Sequence, residues 1–202
     1  MGNPYVIIGT GAAGIAAAER LRLLNPDAVI QMLSIDEYSH SRCMLHKFLS
    51  GERNENEIAF VSEDFFEKKQ ILWGKGQKVT GVEPVQKRVL LEQGYLPYEK
   101  LLIATGSVYG IPPIPGFRTA ANVFGFRDLS DAQKINAMIQ EVKADHVFIV
   151  GSGLVGLDVA YALLERGIKV TIAEMADRIL PLQTDAVSAR AYKELFEEAG
   201  AV

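Results

Sequence analysis

Tyr5-Val6-Ile7-Ile8-Gly9-Thr10-Gly11-Ala12-Ala13-Gly14, residues 5–14, is a short run of branched residues cut by glycine and followed by alanine and leucine at helical spacing as far as Leu24. It predicts a strand, a tight turn and a helix, in that order. Asn25-Pro26-Asp27 stops the helix and Ala28–Leu33 restores a strand, which completes a βαβ unit. The same pattern returns further along. Val147–Val150 reads as a strand, Gly151-Ser152-Gly153-Leu154-Val155-Gly156 as its turn, Leu154–Arg166 as a helix and Ile168–Ala173 as a second strand. In each turn the first glycine permits the sharp bend, the second lets a pyrophosphate approach the backbone, and the third lets helix and strand pack closely. The helix start adds free amides and a favourable dipole for phosphate. Two copies in matching contexts point to two dinucleotide sites. Gly9, Gly11, Ala13 and Gly14 are expected against one nucleotide, and Gly151, Gly153, Val155 and Gly156 against the other.

A site of this kind needs an acid at the end of the second strand, about 20 residues past the loop, to accept hydrogen bonds from an adenosine ribose. Glu174 stands there for the second loop, with Met175 and Ala176 behind it and no arginine immediately following. An acid repels a 2′-phosphate, so NADH is expected over NADPH. For the first loop the acid is Asp36 or Glu37; strand alternation and length favour Asp36 as nearer the edge.

The chain has 202 residues, 49% of them apolar, and a formal net charge of −4, with no stripe of Lys and Arg. Nucleic acid is not an expected partner. Met1-Gly2-Asn3-Pro4 runs straight into a strand without a leader pattern, and no apolar stretch reaches the roughly 18 residues of a membrane span. A single cysteine, Cys43, excludes an internal disulfide and a cysteine zinc cluster, so no metal site is expected and a cytoplasmic setting is.

Between the two βαβ units, Met44–Leu49 reads as a helix, Ser62 as the cap of a helix over Glu63–Lys69, and Ile71–Leu91 as a small meander or hairpin. Leu101–Ala104 is a buried strand. Three prolines in Ile111-Pro112-Pro113-Ile114-Pro115-Gly116 forbid a helix or central strand and mark a domain crossing. Beyond it, Leu129–Val142 reads as a helix introduced by Ser130 and Asp131, Asp185–Glu198 as an amphipathic helix, and Gly200-Ala201-Val202 as the opening of another strand. The expected fold is α/β: two tandem Rossmann-like dinucleotide-binding domains, three-layered with a small β-meander, residues 1–110 and 111–202, the second cut short.

Two such loops separated by Leu101-Leu102-Ile103-Ala104-Thr105-Gly106-Ser107 resemble the pyridine-nucleotide-disulfide oxidoreductase superfamily over essentially the whole chain. Gly167-Ile168-Lys169-Val170-Thr171, Glu174 and Arg178-Ile179-Leu180-Pro181 are also similar to that family's NAD domain. The resemblance implies FAD in the first domain, with Ala104, Thr105 and Gly106 against the flavin nucleotide, and NAD in the second. Val79 and Arg42 are counted with the FAD neighbours. It also implies that full-length relatives add the rest of the NAD domain, a returning FAD segment and a dimerisation domain, so a homodimer is expected of the whole protein.

Ser41-Arg42 with Lys47 five residues on resembles rubredoxin, ferredoxin and nitrite-reductase-like flavoproteins, in which the lysine sits near the flavin and pairs with a glutamate from the NAD-loop helix. The matching acid is Asp158, so a Lys47–Asp158 ion pair across the domain boundary is expected. Cys43 stands where proline is usual in that pattern. Ser39-His40-Ser41-Arg42-Cys43 equally resembles the single-cysteine NADH peroxidases, NADH oxidases and coenzyme A disulfide reductases. A helix starting near Cys43 would put His46 and Lys47 on the thiol's face, where a helix N-terminus and cations favour thiolate. A lone cysteine is also an ordinary small hydrophobe. The expected activity is hydride transfer from NADH to FAD and on to an acceptor. That acceptor is a disulfide, persulfide or peroxide if Cys43 takes part, and a redox protein such as rubredoxin or ferredoxin if it does not. A nucleotide-binding redox sensor without turnover and a nonfunctional fragment remain as alternatives. His40 and His146 are read as loop and strand-edge residues.

Overall fold

Val6 and Ile8 point to one side of a strand and Ile7 to the other, and all three are buried, as a central parallel strand covered on both faces requires. The computed structural model of the chain describes residues 2–202 and divides them into two compact units. The first comprises residues up to Ser41 and Ala59–Ser107; the second comprises Arg42–Ile58 and Val108–Val202. The division near Ser107 falls close to the expected crossing. The segment Arg42–Ile58, expected in the first domain by its place in the chain, packs instead with the second unit.

In the first unit β1 (Tyr5–Ile8) lies between β2 (Ile30–Leu33) and β7 (Lys100–Ile103), and β3 (Ile71–Gly74) pairs with β2, giving a four-stranded sheet of order β3-β2-β1-β7 with every pair parallel. The helix α1 (Ala12–Leu24) makes the crossover from β1 to β2. Ile7, Ile15, Ile30, Met32, Phe65 and Phe66 fill one face of the sheet, with the one-turn helix α3 (Phe65–Lys68) contributing the phenylalanines. Val6, Ile8 and Leu33 fill the other face with Val89 and Tyr98, beneath an antiparallel meander of β4 (Val79–Glu83), β5 (Arg88–Leu91) and β6 (Tyr95–Pro97). These are the three expected layers. The meander begins later than its sequence suggested, because Ile71–Gly74 joins the parallel sheet. Ser62 does not cap α3: its hydroxyl donates to Asp64, and the N-cap position belongs to Asp64.

The second unit repeats the plan. β8 (His146–Val150) pairs in parallel with β9 (Lys169–Ala173), and α5 (Leu154–Leu164) crosses between them. Ala201 bridges Val170 in parallel, so a further strand opens where glycine ends the preceding helix. α4 (Leu129–Val142) is capped by Asp128 in a reciprocal box with Asp131, not by Ser130, and α6 (Ala186–Glu198) is capped by Asp185, which accepts from Ser188 N–H. The short helix α2 (Leu45–Ser50) belongs here: Leu49 is 1% exposed and sits in one core with Ile139, Ile149, Val159 and Leu163. Among the described residues no helix is long and apolar enough to cross a membrane.

Candidate functional site

Each glycine loop is built to leave its helix start open. Gly11 is the N-cap of α1 and Gly153 that of α5, neither helix has a side-chain cap, and neither carries an acid in its first turn. The two other long helices, α4 and α6, are both capped by aspartate. The uncapped amides of α1 and α5 therefore keep donors and positive dipole ends available to a diphosphate. A Cβ placed on Gly153 would enter open space, the space a pyrophosphate would need.

The third glycine of each loop is fixed by packing. A Cβ on Gly14 would lie 2.0 Å from the Gly9 carbonyl oxygen, and one on Gly156 would lie 2.0 Å from that of Gly151. Gly9 is doubly constrained, with φ at 110° and the Ala104 carbonyl oxygen 2.3 Å from any Cβ it might carry. Ala104 N–H donates to the Ile8 carbonyl at 2.8 Å, so the Ala104-Thr105-Gly106 element runs beside the first loop within one unit. Ala13 and Val155 are exposed on the first turns of their helices. Val79 packs against the Val6–Ile8 face at the head of the meander.

The acids differ between the units. Gly151 N–H donates to the Ala173 carbonyl as Gly9 N–H does to that of Leu33, so the residue matching Glu174 in the first unit is Ser34. Ser34 is buried, its hydroxyl donates to the Asp36 carbonyl at 2.6 Å, and it accepts from Trp73 Nε1 at 2.9 Å. Asp36 follows on this braced turn and is half-buried, while Glu37 is exposed. Sequence spacing alone did not reveal Ser34; the strand register does.

Glu174 is held by donors on every side. Ala176 N–H reaches Oε1 at 2.9 Å, and Ser152 N–H and hydroxyl both reach Oε2 at 2.9 Å. Those bonds, the Ala176 amide foremost, pull its carboxyl down from 4.5 to about 2. A carboxyl depressed on folding stabilises the fold above its unfolded value and loses that contribution as pH falls through the folded one. The melting-temperature gap between native protein and Glu174→Gln should therefore hold at neutral pH and shrink between about pH 4.5 and 2. A gap that stays constant across that interval would show that Glu174 is not held as a charged group.

The cysteine segment departs from its expected pairing. Lys47 bonds to Glu52, which raises its pKa, and lies 5.5 Å over the Tyr161 ring. Asp158 faces His46 instead, with Nδ1 at 4.0 Å. The expected Lys47–Asp158 ion pair is thus replaced: both residues lie in the second unit, and Glu52, one turn beyond Lys47 around the Gly51 bend, reaches the ammonium first. Arg42 donates through Nε and Nη2 to Asp128, at 3.0 and 2.6 Å. Cys43 is exposed in a 3-10 turn, Arg42–Met44, two residues before α2 begins. His40, expected in a loop, is buried and bridges Ala59 in an antiparallel pair. His146 meets the Thr171 hydroxyl at 2.9 Å.

The sequence model of the pyridine nucleotide-disulphide oxidoreductase family matches residues 3–201. The chain belongs to this family. It is 34% identical over 182 residues to rubredoxin-NAD(+) reductase of Alcanivorax borkumensis, which covers 89% of this chain and 47% of the relative. Among solved structures, the NAD-dependent persulfide reductase from A. fulgidus is similar at a TM-score of 0.90 and 31% identity, covering 98% of this chain and 39% of that one. Reduced CoADR-RHD from Bacillus anthracis is similar at a TM-score of 0.92 and 26% identity, covering 100% and 38%. The chain thus spans less than half the length of these family members. Its α/β architecture, with tandem Rossmann-like units, is theirs.

Proposed function

We propose that this family member acts, in its whole protein, as an FAD-dependent NADH oxidoreductase, with FAD on the first unit and NADH on the second. The carrying observation is the repeated pair of uncapped helix starts behind glycine loops, one of them closed by an ionised Glu174. When bound, FAD would accept hydride from NADH and pass electrons on to an acceptor. The chain's own residues bind and orient. The amides of α1 and α5 hold the diphosphates, Asp36 receives the flavin adenosine ribose with Glu37 as the alternative, and Ala104–Gly106 lies along the first loop. Glu174 accepts ribose hydroxyls and rejects a 2′-phosphate. Residues 1–110 and 111–202 serve as FAD and NAD domains, except that Arg42–Ile58 travels with the second unit.

Cys43 is the residue on which the acceptor turns. Its exposure favours attack by its thiolate on a disulfide, persulfide or peroxide, and likeness to the persulfide reductase supports that reading. Likeness to rubredoxin-NAD(+) reductase, together with Lys47 already engaged by Glu52, supports the second reading, electron transfer to a redox protein without the thiol. A reduced, exposed lone cysteine suits a cytoplasmic enzyme, and we assign a homodimer to the whole protein. An anaerobic NADH titration of the FAD-loaded protein distinguishes the two acceptors. A thiolate-to-flavin charge-transfer band that Cys43→Ser abolishes is expected; identical bleaching in both proteins would leave the redox-protein reading.

A further inference from the structure

Ser152 is 0% exposed, and all its polar groups are in use. Its N–H and hydroxyl donate to one oxygen of Glu174, each at 2.9 Å, and its carbonyl accepts Leu180 N–H at 3.0 Å. Leu180 is a buried non-glycine residue with φ at 47°, and its own carbonyl accepts the N–H groups of Gln183 and Thr184. Through Ser152, the stretch from Glu174 to Thr184 is fastened back onto the glycine loop.

We propose that Ser152 is a positioning residue for nucleotide specificity, fixing the Glu174 carboxylate at the rim of the second loop so that it takes a ribose 2′-hydroxyl and excludes a 2′-phosphate. The inference rests on reading the second unit as an NADH site. Ser152 places two donors on Oε2 and Ala176 one on Oε1, with a weaker contribution from the Met175 amide, so the carboxylate is held in one orientation. A dianionic phosphate brought to the loop rim meets a charge that cannot swing aside. A glutamate without the Ser152 hydroxyl would keep its charge but regain rotamers that move it away. The clip is not a generic property of such loops. The matching residue of the first loop is Thr10, whose carbonyl accepts from Ser39, and the acid's place is held by Ser34.

The test uses the 202-residue chain, with NADH and NADPH dissociation constants read by ligand fluorescence and the Glu174 carboxyl titrated by carbon NMR. Ser152→Ala should cut the NADH-over-NADPH preference by roughly five- to tenfold, the scale of one net hydrogen bond. It should also move the Glu174 midpoint upward, and add nothing to the preference when combined with Glu174→Gln. Ser152→Thr and Ser152→Val, alike in shape, repeat the comparison should the alanine variant fold poorly; the threonine should keep the preference and the valine lose it. A preference that Glu174→Gln alters and that removing the hydroxyl leaves intact, with the titration unmoved, overturns the role of Ser152. If Glu174→Gln itself changes neither ligand's affinity, the NADH reading of this unit fails, and the specificity role falls with it.

Discussion

Gly14→Val is expected to destabilise the first unit by more than about 3 kcal/mol, beyond the usual cost of overpacking, and to abolish FAD binding. The Cβ alone would lie 2.0 Å from the Gly9 carbonyl oxygen and 3.4 Å from Met32 Cε. The first neighbour is backbone in a loop that Gly9 cannot easily shift, since Gly9 is itself pressed against the Ala104 carbonyl. The helix start would have to move away from the strand, and its amides would leave the position proposed above for holding a diphosphate. Gly110→Val is the control, because a Cβ there meets open space. Urea unfolding and FAD fluorescence titration read both variants. A Gly14→Val protein with native stability and affinity would show that the loop tolerates separation of strand and helix.

The second large effect is expected at Arg166. Its Nη1 donates to the Leu49 carbonyl at 2.9 Å and to Asn136 Oδ1 at 2.6 Å, tying the last turn of α2 to α4 and to the end of α5. Arg166→Met keeps much of the bulk and removes the charged donor, leaving the Leu49 carbonyl and the Asn136 amide oxygen without it. The cost should be about 1.5–3 kcal/mol, concentrated in the segment Arg42–Ile58 that carries Cys43 and Lys47. Hydrogen exchange should speed up in peptides from that segment while those from β2 keep their protection. Equal acceleration in both would mean global destabilisation instead, and no change in either would mean that the Leu49 core contact holds the segment unaided.

These two expectations come from different levels of the molecule. Gly14 was legible from spacing, because a strand, a bend and a helix within ten residues leave the third glycine no room for a side chain, wherever the unit sits. Glu174 was legible for the same reason: the length of one crossover helix places the end of the next strand. The first-unit acid was harder. Asp36 and Glu37 both satisfy the spacing, and only the ladder between β1 and β2 shows that Ser34 holds the place of Glu174.

The sequence by itself determined both βαβ units, their glycine loops and the place of Glu174 directly after β9. Each of these is a local consequence of hydrophobic period and backbone sterics within about 30 residues. Tertiary structure alone decided the distant partners of the charged side chains. Arg42 found Asp128 86 residues away, Arg166 found the Leu49 carbonyl 117 residues away, and Asp158 came to lie 4.0 Å from the His46 ring, while Lys47 took Glu52 around the Gly51 bend. It also decided that residues 42–58 belong with the second unit. A long charged side chain has several partners within reach of its flexible stem, and the choice among them depends on how distant segments dock, which no spacing rule along the chain encodes.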